Sequence, residues 1–200
     1  IEAPELQVQK RTAHLIVAFS VMALPISVLA EPLDQFDLTG LVVGAAGMVL
    51  GHELGHFALA ASMDIDAEFD GVTVVYPGTD LSSQQQARVA SAGFQSQWLL
   101  SELAFHFLDK PDAAPNSIAA GVVLGHLGIT AAYLSFLKNE KEGDVAGMAN
   151  AFGKNRTDLA LLLAVPALLD GWRLFGKPPD WVPVLSRAGK GLGLAWIWSW

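Results

Sequence analysis

The chain is 200 residues long, 52% hydrophobic and 16% charged, with a net charge of −8 and no cysteine. Soluble domains carry about 25% charged residues, so this composition points to a chain surrounded largely by apolar material. The acidic balance excludes the basic patches that nucleic acid requires, the lack of cysteine excludes disulfides, cysteine-based zinc knuckles and iron–sulfur clusters, and the length fits a single domain over residues 1–200.

The first apolar run, residues 12–30, follows Lys10 and Arg11 and precedes Glu31 and Pro32. It reads either as a cleavable signal peptide ending at Val28-Leu29-Ala30 or as a retained transmembrane helix kinked at Pro25. Its presence in a chain that does not begin with Met favours the helix, with His14 at the interface. The second run, residues 38–63, exceeds the roughly 20 residues that a span requires. Gly40, Gly44, Gly47, Gly51 and Gly55 fall mostly four apart in it. In lipid such a stripe lets a neighbouring helix come close, which predicts a central position in a bundle.

Residues 64–86 are polar, and within them Val72–Tyr76 has strand composition between Gly71 and Pro77-Gly78. Further spans are predicted at about 88–108 and 117–137, joined by an Asp- and Pro-rich linker at 109–116, and at 158–175 after a polar stretch at 138–157. Trp196, Trp198 and Trp200 in the tail suit a membrane interface. The expected fold is an all-α membrane protein of about five to six transmembrane helices, with a short β-like hairpin or strand after the second apolar run. Lys10, Arg11, Lys138, Lys141, Lys154 and Arg156 fall on one side of such a bundle, which places the N-terminus in the cytoplasm. Arg173, Lys177, Arg187 and Lys190 count against that orientation.

Inside the second run stands His52-Glu53-Leu54-Gly55-His56. Residues four apart share a helix face, so His52 and His56 can grip one metal ion while Glu53 stands beside a metal-bound water as general base. Zinc brings the pKa of such a water to about 7. Ionisable residues are costly in a span, at about 2.5–3.5 kcal/mol for a central acidic residue, and they mark function unless a partner is found. Pairing of His52 and Glu53 with each other or with a neighbouring helix is the plain alternative. His106 and His126 read as helix–helix hydrogen-bonding residues.

At these residues the chain resembles the site-2-protease-like intramembrane zinc metalloproteases, especially their small bacterial branch, over about residues 38–175. The likeness rests on His52-Glu53-Leu54-Gly55-His56 with Ala58, Ala60 and Ala61, and on Ala92-Gly93-Phe94-Gln95-Ser96-Gln97, where the family has Ala-Gly-Pro and a downstream Asn. Phe94 and Gln97 depart from that pattern. The resemblance implies a zinc-dependent endopeptidase in a bacterial inner membrane that acts on membrane protein or peptide substrates among lipids. It also leaves room for a catalytically inactive subunit of a larger membrane complex. A haem-binding electron carrier is disfavoured, because His52 and His56 point the same way and axial ligands must oppose.

Zinc requires a third protein ligand. Asp170, in Leu168-Leu169-Asp170-Gly171, looks like a motif of the wider family, and Asp144, in Glu142-Gly143-Asp144, is similar to a segment of the smaller branch. The histidines lie towards the C-terminal end of the second run. Antiparallel single crossings would therefore set Asp170 on the order of 10 Å or more away at about 1.5 Å rise per residue. Asp144 lies at the histidines' end and reaches them if a loop or short helix dips inward. Topology thus favours Asp144, with Asp170 the alternative if one span is re-entrant. Their plain roles are an N-cap before Val145 for Asp144 and an ion pair with Arg173 for Asp170. Gln95 and Gln97 can bind exposed substrate backbone or stitch helices together, and Val72–Tyr76 can hold an unwound substrate by edge pairing or be a plain hairpin.

Overall fold

A computed structural model of the chain describes residues 35–69, 74–109 and 116–200. The run at 12–30, with its two readings, and His14 lie outside them. The described elements are α1 (Leu38–Ala61), β1 (Glu68–Phe69), β2 (Val74–Val75), α2 (Ser83–Leu108), α3 (Ser117–Ser135), a 3-10 turn (Leu137–Asn139), α4 (Asp144–Phe152), α5 (Arg156–Phe175) and α6 (Trp181–Ser199).

Local chemistry sets the helix starts. The Asp37 side chain accepts from Gly40 N at 2.7 Å, and Asn116 accepts from Ala119 N at 2.9 Å. Ser82 and Gln85 form a reciprocal capping box. The helices expected near 38–63, 88–108, 117–137 and 158–175 are all present. Among the described residues α1 and α3 are long and apolar enough to cross a membrane. The apolar sequences of the continuous helices α2, α5 and α6 are interrupted by Glu102, by Asp170 and Arg173, and by Arg187 and Lys190. The expected strand is present at Val74–Val75 and pairs antiparallel with β1, Glu68 opposite Val75 and Phe69 opposite Val74. Residues 72 and 73 lie outside the described set.

Helix α1 buries Gly40, Gly44, Met48, His52, His56 and Ala60, one residue in every four. Its first half packs backbone to backbone on α3. A Cβ on Gly121 would stand 2.8 Å from the carbonyl carbon and 2.9 Å from the Cα of Leu41, and one on Gly44 would stand 2.7 Å from Val122 N. Backbone cannot yield, so only glycine fits both positions. Gly47 has nothing within 4 Å of a Cβ. Gly121→Ala is therefore expected to cost about 1–3 kcal/mol of stability. Gly47→Ala should be neutral or slightly stabilising through helix propensity. Melting temperatures of the two purified variants measure the contrast, and equal melting would refute the close approach.

The second half of α1 meets α2, and a core of Phe94, Trp98, Tyr133, Val145, Met148, Phe152 and Leu163 joins α2, α3, α4 and α5. The tryptophan tail, expected at an interface, is the C-terminal end of α6 and packs inward in part. Trp196 stacks on Phe152 at 4.2 Å, and Trp198 Nε1 donates to Gln95 Oε1 at 3.0 Å beneath the Arg88 guanidinium.

Candidate metal centre

Because His52 and His56 occupy successive turns of the buried stripe of α1, both rings point into the bundle, each 3% exposed. Asp144 is the first residue of α4, after the N-cap Gly143. It is thus helical itself rather than the cap, and the short helix carries it inward until it is 6% exposed. Asp144 Oδ2 lies 3.0 Å from His52 Nε2, and Oδ1 lies 3.3 Å from His56 Nε2. One donor atom from each of the three falls within 4.8 Å of the others. His56 Nε2 and Asp144 Oδ2 are buried and have no hydrogen-bond partner.

Buried polar atoms are ordinarily satisfied, and a cation between these donors would satisfy them. Two imidazole nitrogens and one carboxylate oxygen are a set that zinc accepts with a further position open, so the residues present fit the metal. The geometry alone does not choose zinc over other divalent ions that take nitrogen and oxygen ligands. Burial opposes ionisation of Asp144, yet the neighbouring His56 and His52 hold its carboxyl below the usual carboxylate range. It faces the histidines as an anion.

The surroundings orient these groups. His56 Nδ1 donates to the Val89 carbonyl at 2.7 Å, which leaves Nε2 free to ligate. Both tyrosines of the chain border the centre. The Tyr76 hydroxyl lies 3.2 Å from His56 Nδ1, and the Tyr133 ring lies tilted beside His52, 6.2 Å between ring centres. Burial, with the charges of Asp144 and Glu53, pushes the Tyr76 phenol up, so it stays a neutral donor. Glu53 is half-buried, and its Oε2 has no hydrogen-bond partner. A cleft of about 520 Å³ opens beside His56 and Asp144, lined by Val74, Tyr76, Gln86, Val89 and Asn150.

Asp170 is elsewhere. It is fully buried in a second polar cluster, where it accepts from Lys190 Nζ at 2.5 Å, Ser186 Oγ at 2.6 Å and Arg173 Nη1 at 3.1 Å. Lys190 and Arg173 also reach Glu102 Oε1, at 2.6 and 2.7 Å. The ion pair with Arg173 is thus present, and His52 and His56 are brought to Asp144 and not to Asp170. His126 is buried and hydrogen-bonds across helices to Gln97 Oε1 at 2.9 Å, whereas His106 is exposed at the end of α2 against Phe107. Gln97 also lies 2.5 Å from His52 Nδ1, and Gln95 bonds Ser91 and Trp198, so both glutamines stitch the bundle.

Phe94 stands edge-on to His52, 5.8 Å between ring centres. Sequence reasoning gave Gln97 and His126 as helix-stitching residues, as they are, but did not reach their link to His52 or the place of Tyr76 and Tyr133 at the centre. Two tyrosines in 200 residues, both near polar segments, were the available signal. No family model, no curated protein and no solved structure matches the chain. Fold and site alone define the class: a helical protein with a buried two-histidine, one-aspartate cluster and an adjacent glutamate.

Proposed function

We propose that the protein is an integral membrane, zinc-dependent endopeptidase of the site-2-protease-like kind, cleaving membrane protein or peptide substrates within or beside the bilayer. The observation that carries this reading is the convergence of His52, His56 and Asp144 within 4.8 Å, with Glu53 one residue away on the same helix. The membrane setting is supported by the outer surface. Leu50, Leu54, Leu99, Leu103, Leu168 and Leu192 are each more than half exposed, on four different helices. In water that much apolar surface would drive association.

When bound, zinc supplies the Lewis acidity that polarises a peptide carbonyl and acidifies water. Glu53 takes the proton of the attacking water and delivers it to the departing amine. Its Oε2, buried and without a hydrogen-bond partner, is the atom available to that proton. The Tyr76 hydroxyl, lining the cleft as a neutral donor, is placed to hydrogen-bond a substrate. Among the described residues β2 pairs only with β1. An extended substrate segment would add to its other edge, and a helical substrate must unwind to expose a peptide bond.

Glu53→Gln is expected to keep near-stoichiometric zinc in detergent-purified protein and to lose cleavage of a reconstituted transmembrane substrate by at least about 100-fold. Metal content by mass spectrometry and product formation on gels read the two effects. Cleavage by the variant at the unmodified rate would overturn the assignment of the base. Stoichiometric zinc without cleavage in either protein would favour the inactive subunit.

A further inference from the structure

The Gln97 amide lies between two buried imidazoles, one end 2.5 Å from His52 Nδ1 and the other 2.9 Å from His126 Nδ1. Gln97 and His126 are both completely buried. His126 Nε2 in turn faces Asp170 Oδ2 at 3.6 Å. A row of polar groups thus runs from the candidate metal centre through α2 and α3 to α5, with Asp170 held by Ser186, Arg173 and Lys190.

An amide's oxygen and nitrogen are nearly equal in shape, so the network decides which end is which. With the nitrogen turned to His52, as placed, His52 Nδ1 accepts and the proton of that ring sits on Nε2, where it blocks a metal. His126 then donates from Nδ1 and leaves Nε2 bare before a carboxylate, buried and without a partner. With the oxygen turned to His52, each ring nitrogen faces a group of the opposite hydrogen-bonding sense. Asp170 faces a proton on His126 Nε2, so His126 Nδ1 accepts from the Gln97 NH2. The Gln97 oxygen accepts from His52 Nδ1–H, and the Nε2 lone pair of His52 is free to ligate. The same heavy atoms serve both arrangements, and the carboxylate at the far end favours the second.

We propose that Asp170, His126 and Gln97 form a positioning chain that fixes His52 in its metal-binding tautomer, with Gln97 as the element that transmits the choice. The inference rests on the zinc-centre reading given above. A ligating histidine needs its other nitrogen held by an acceptor, and such partners command about 10- to 100-fold in metal affinity. At His56 the Val89 carbonyl does this, and no other arrangement is open to it. At His52 the acceptor is an amide that can turn, so its orientation has to be set from outside.

The test is a zinc competition titration of the full chain in detergent against a chromophoric chelator, using Gln97→Leu, Gln97→Glu and His126→Leu. Long-range 15N NMR of histidine-labelled protein reads the tautomers directly. Gln97→Leu should weaken zinc about 10- to 100-fold. Gln97→Glu, which keeps an acceptor for His52, should bind within a few-fold of the unmodified chain, and His126→Leu should fall between them. In the zinc-loaded, unmodified protein His52 should carry its proton on Nδ1. Unchanged affinity in Gln97→Leu overturns the chain, as does a Gln97→Glu variant as weak as Gln97→Leu, which would mean that only packing matters there. If Gln97→Leu does not fold, a His52 proton found on Nε2 in the unmodified protein overturns it equally. Failure of the unmodified protein to bind zinc at all overturns the metal centre itself, an outcome distinct from the others.

Discussion

Replacing Asp144 by Asn is expected to strip the protein of zinc while leaving it folded, and replacing Asp170 by Asn to do the reverse. The two carboxylates sit in different company. Asp144 has His52 Nε2 at 3.0 Å and His56 Nε2 at 3.3 Å, with Oδ2 lacking any hydrogen bond, so little but the metal depends on its charge. Its loss should cost more affinity than the about 10- to 100-fold that a residue merely supporting a ligand commands. Asp170 instead balances Lys190 and Arg173, whose side chains are 4% and 3% exposed. Without it the two cations share Glu102, with only the exposed Asp109 beside Arg173, at 3.7 Å, and stranding a buried charge costs about 3–5 kcal/mol. Zinc in that variant should weaken only through His126 and Gln97, by no more than about tenfold. Metal content and melting temperature, measured side by side, separate the two. A folded Asp170→Asn protein devoid of zinc, beside an Asp144→Asn protein that retains it, would reassign the third ligand.

The same contrast shows what the sequence made legible. Apolar length located α1, α2, α3 and α5 because a helix of some 20 residues depends on local composition. The pairing of His52 with His56 was legible because helical spacing alone places them on one face. The partner of that pair was less so, since Asp144 reaches the histidines only through the course of α4, a nine-residue helix that composition does not announce. In α2 the pattern is inverted. Gln97 and Ser101 are buried, while Leu99 and Leu103 are exposed. Periodicity reports a face but not which way it points, so the inward turn of these polar side chains stayed hidden. With it went the link from Gln97 to His126 and the clamp of Glu102 on Lys190. Helix α6 was hidden for a related reason. Arg187 and Lys190 break its apolar run, and their partners lie on α2 and α5.

A single methyl group at position 93 is expected to disable the centre without replacing any ligand. A Cβ on Gly93 would stand 2.5 Å from His52 Nδ1 and closer still to Cε1 and Nε2, inside the 3.0 Å that real Cβ contacts respect. The ring has nowhere to retreat. Gln97 holds Nδ1 at 2.5 Å, Phe94 stands edge-on at 5.8 Å, and Tyr133 lies tilted at 6.2 Å between ring centres. Either α1 and α2 separate, at the about 1–3 kcal/mol typical of overpacking, or His52 swings away from Asp144. Both routes move a ligand atom by a sizeable fraction of an ångström. A misplacement of about 1 Å in a reacting constellation costs on the order of 100-fold in rate. Gly93→Ala should therefore melt within a few degrees of the unmodified protein, bind zinc far more weakly and cleave at least about 100-fold more slowly. Gly47→Ala on α1, where a Cβ meets nothing within 4 Å, should change none of these. If Gly93→Ala binds zinc and cleaves as the unmodified chain does, the ring of His52 is not seated against α2. The place of Ala92-Gly93 in the centre would then have to be sought in the backbone instead.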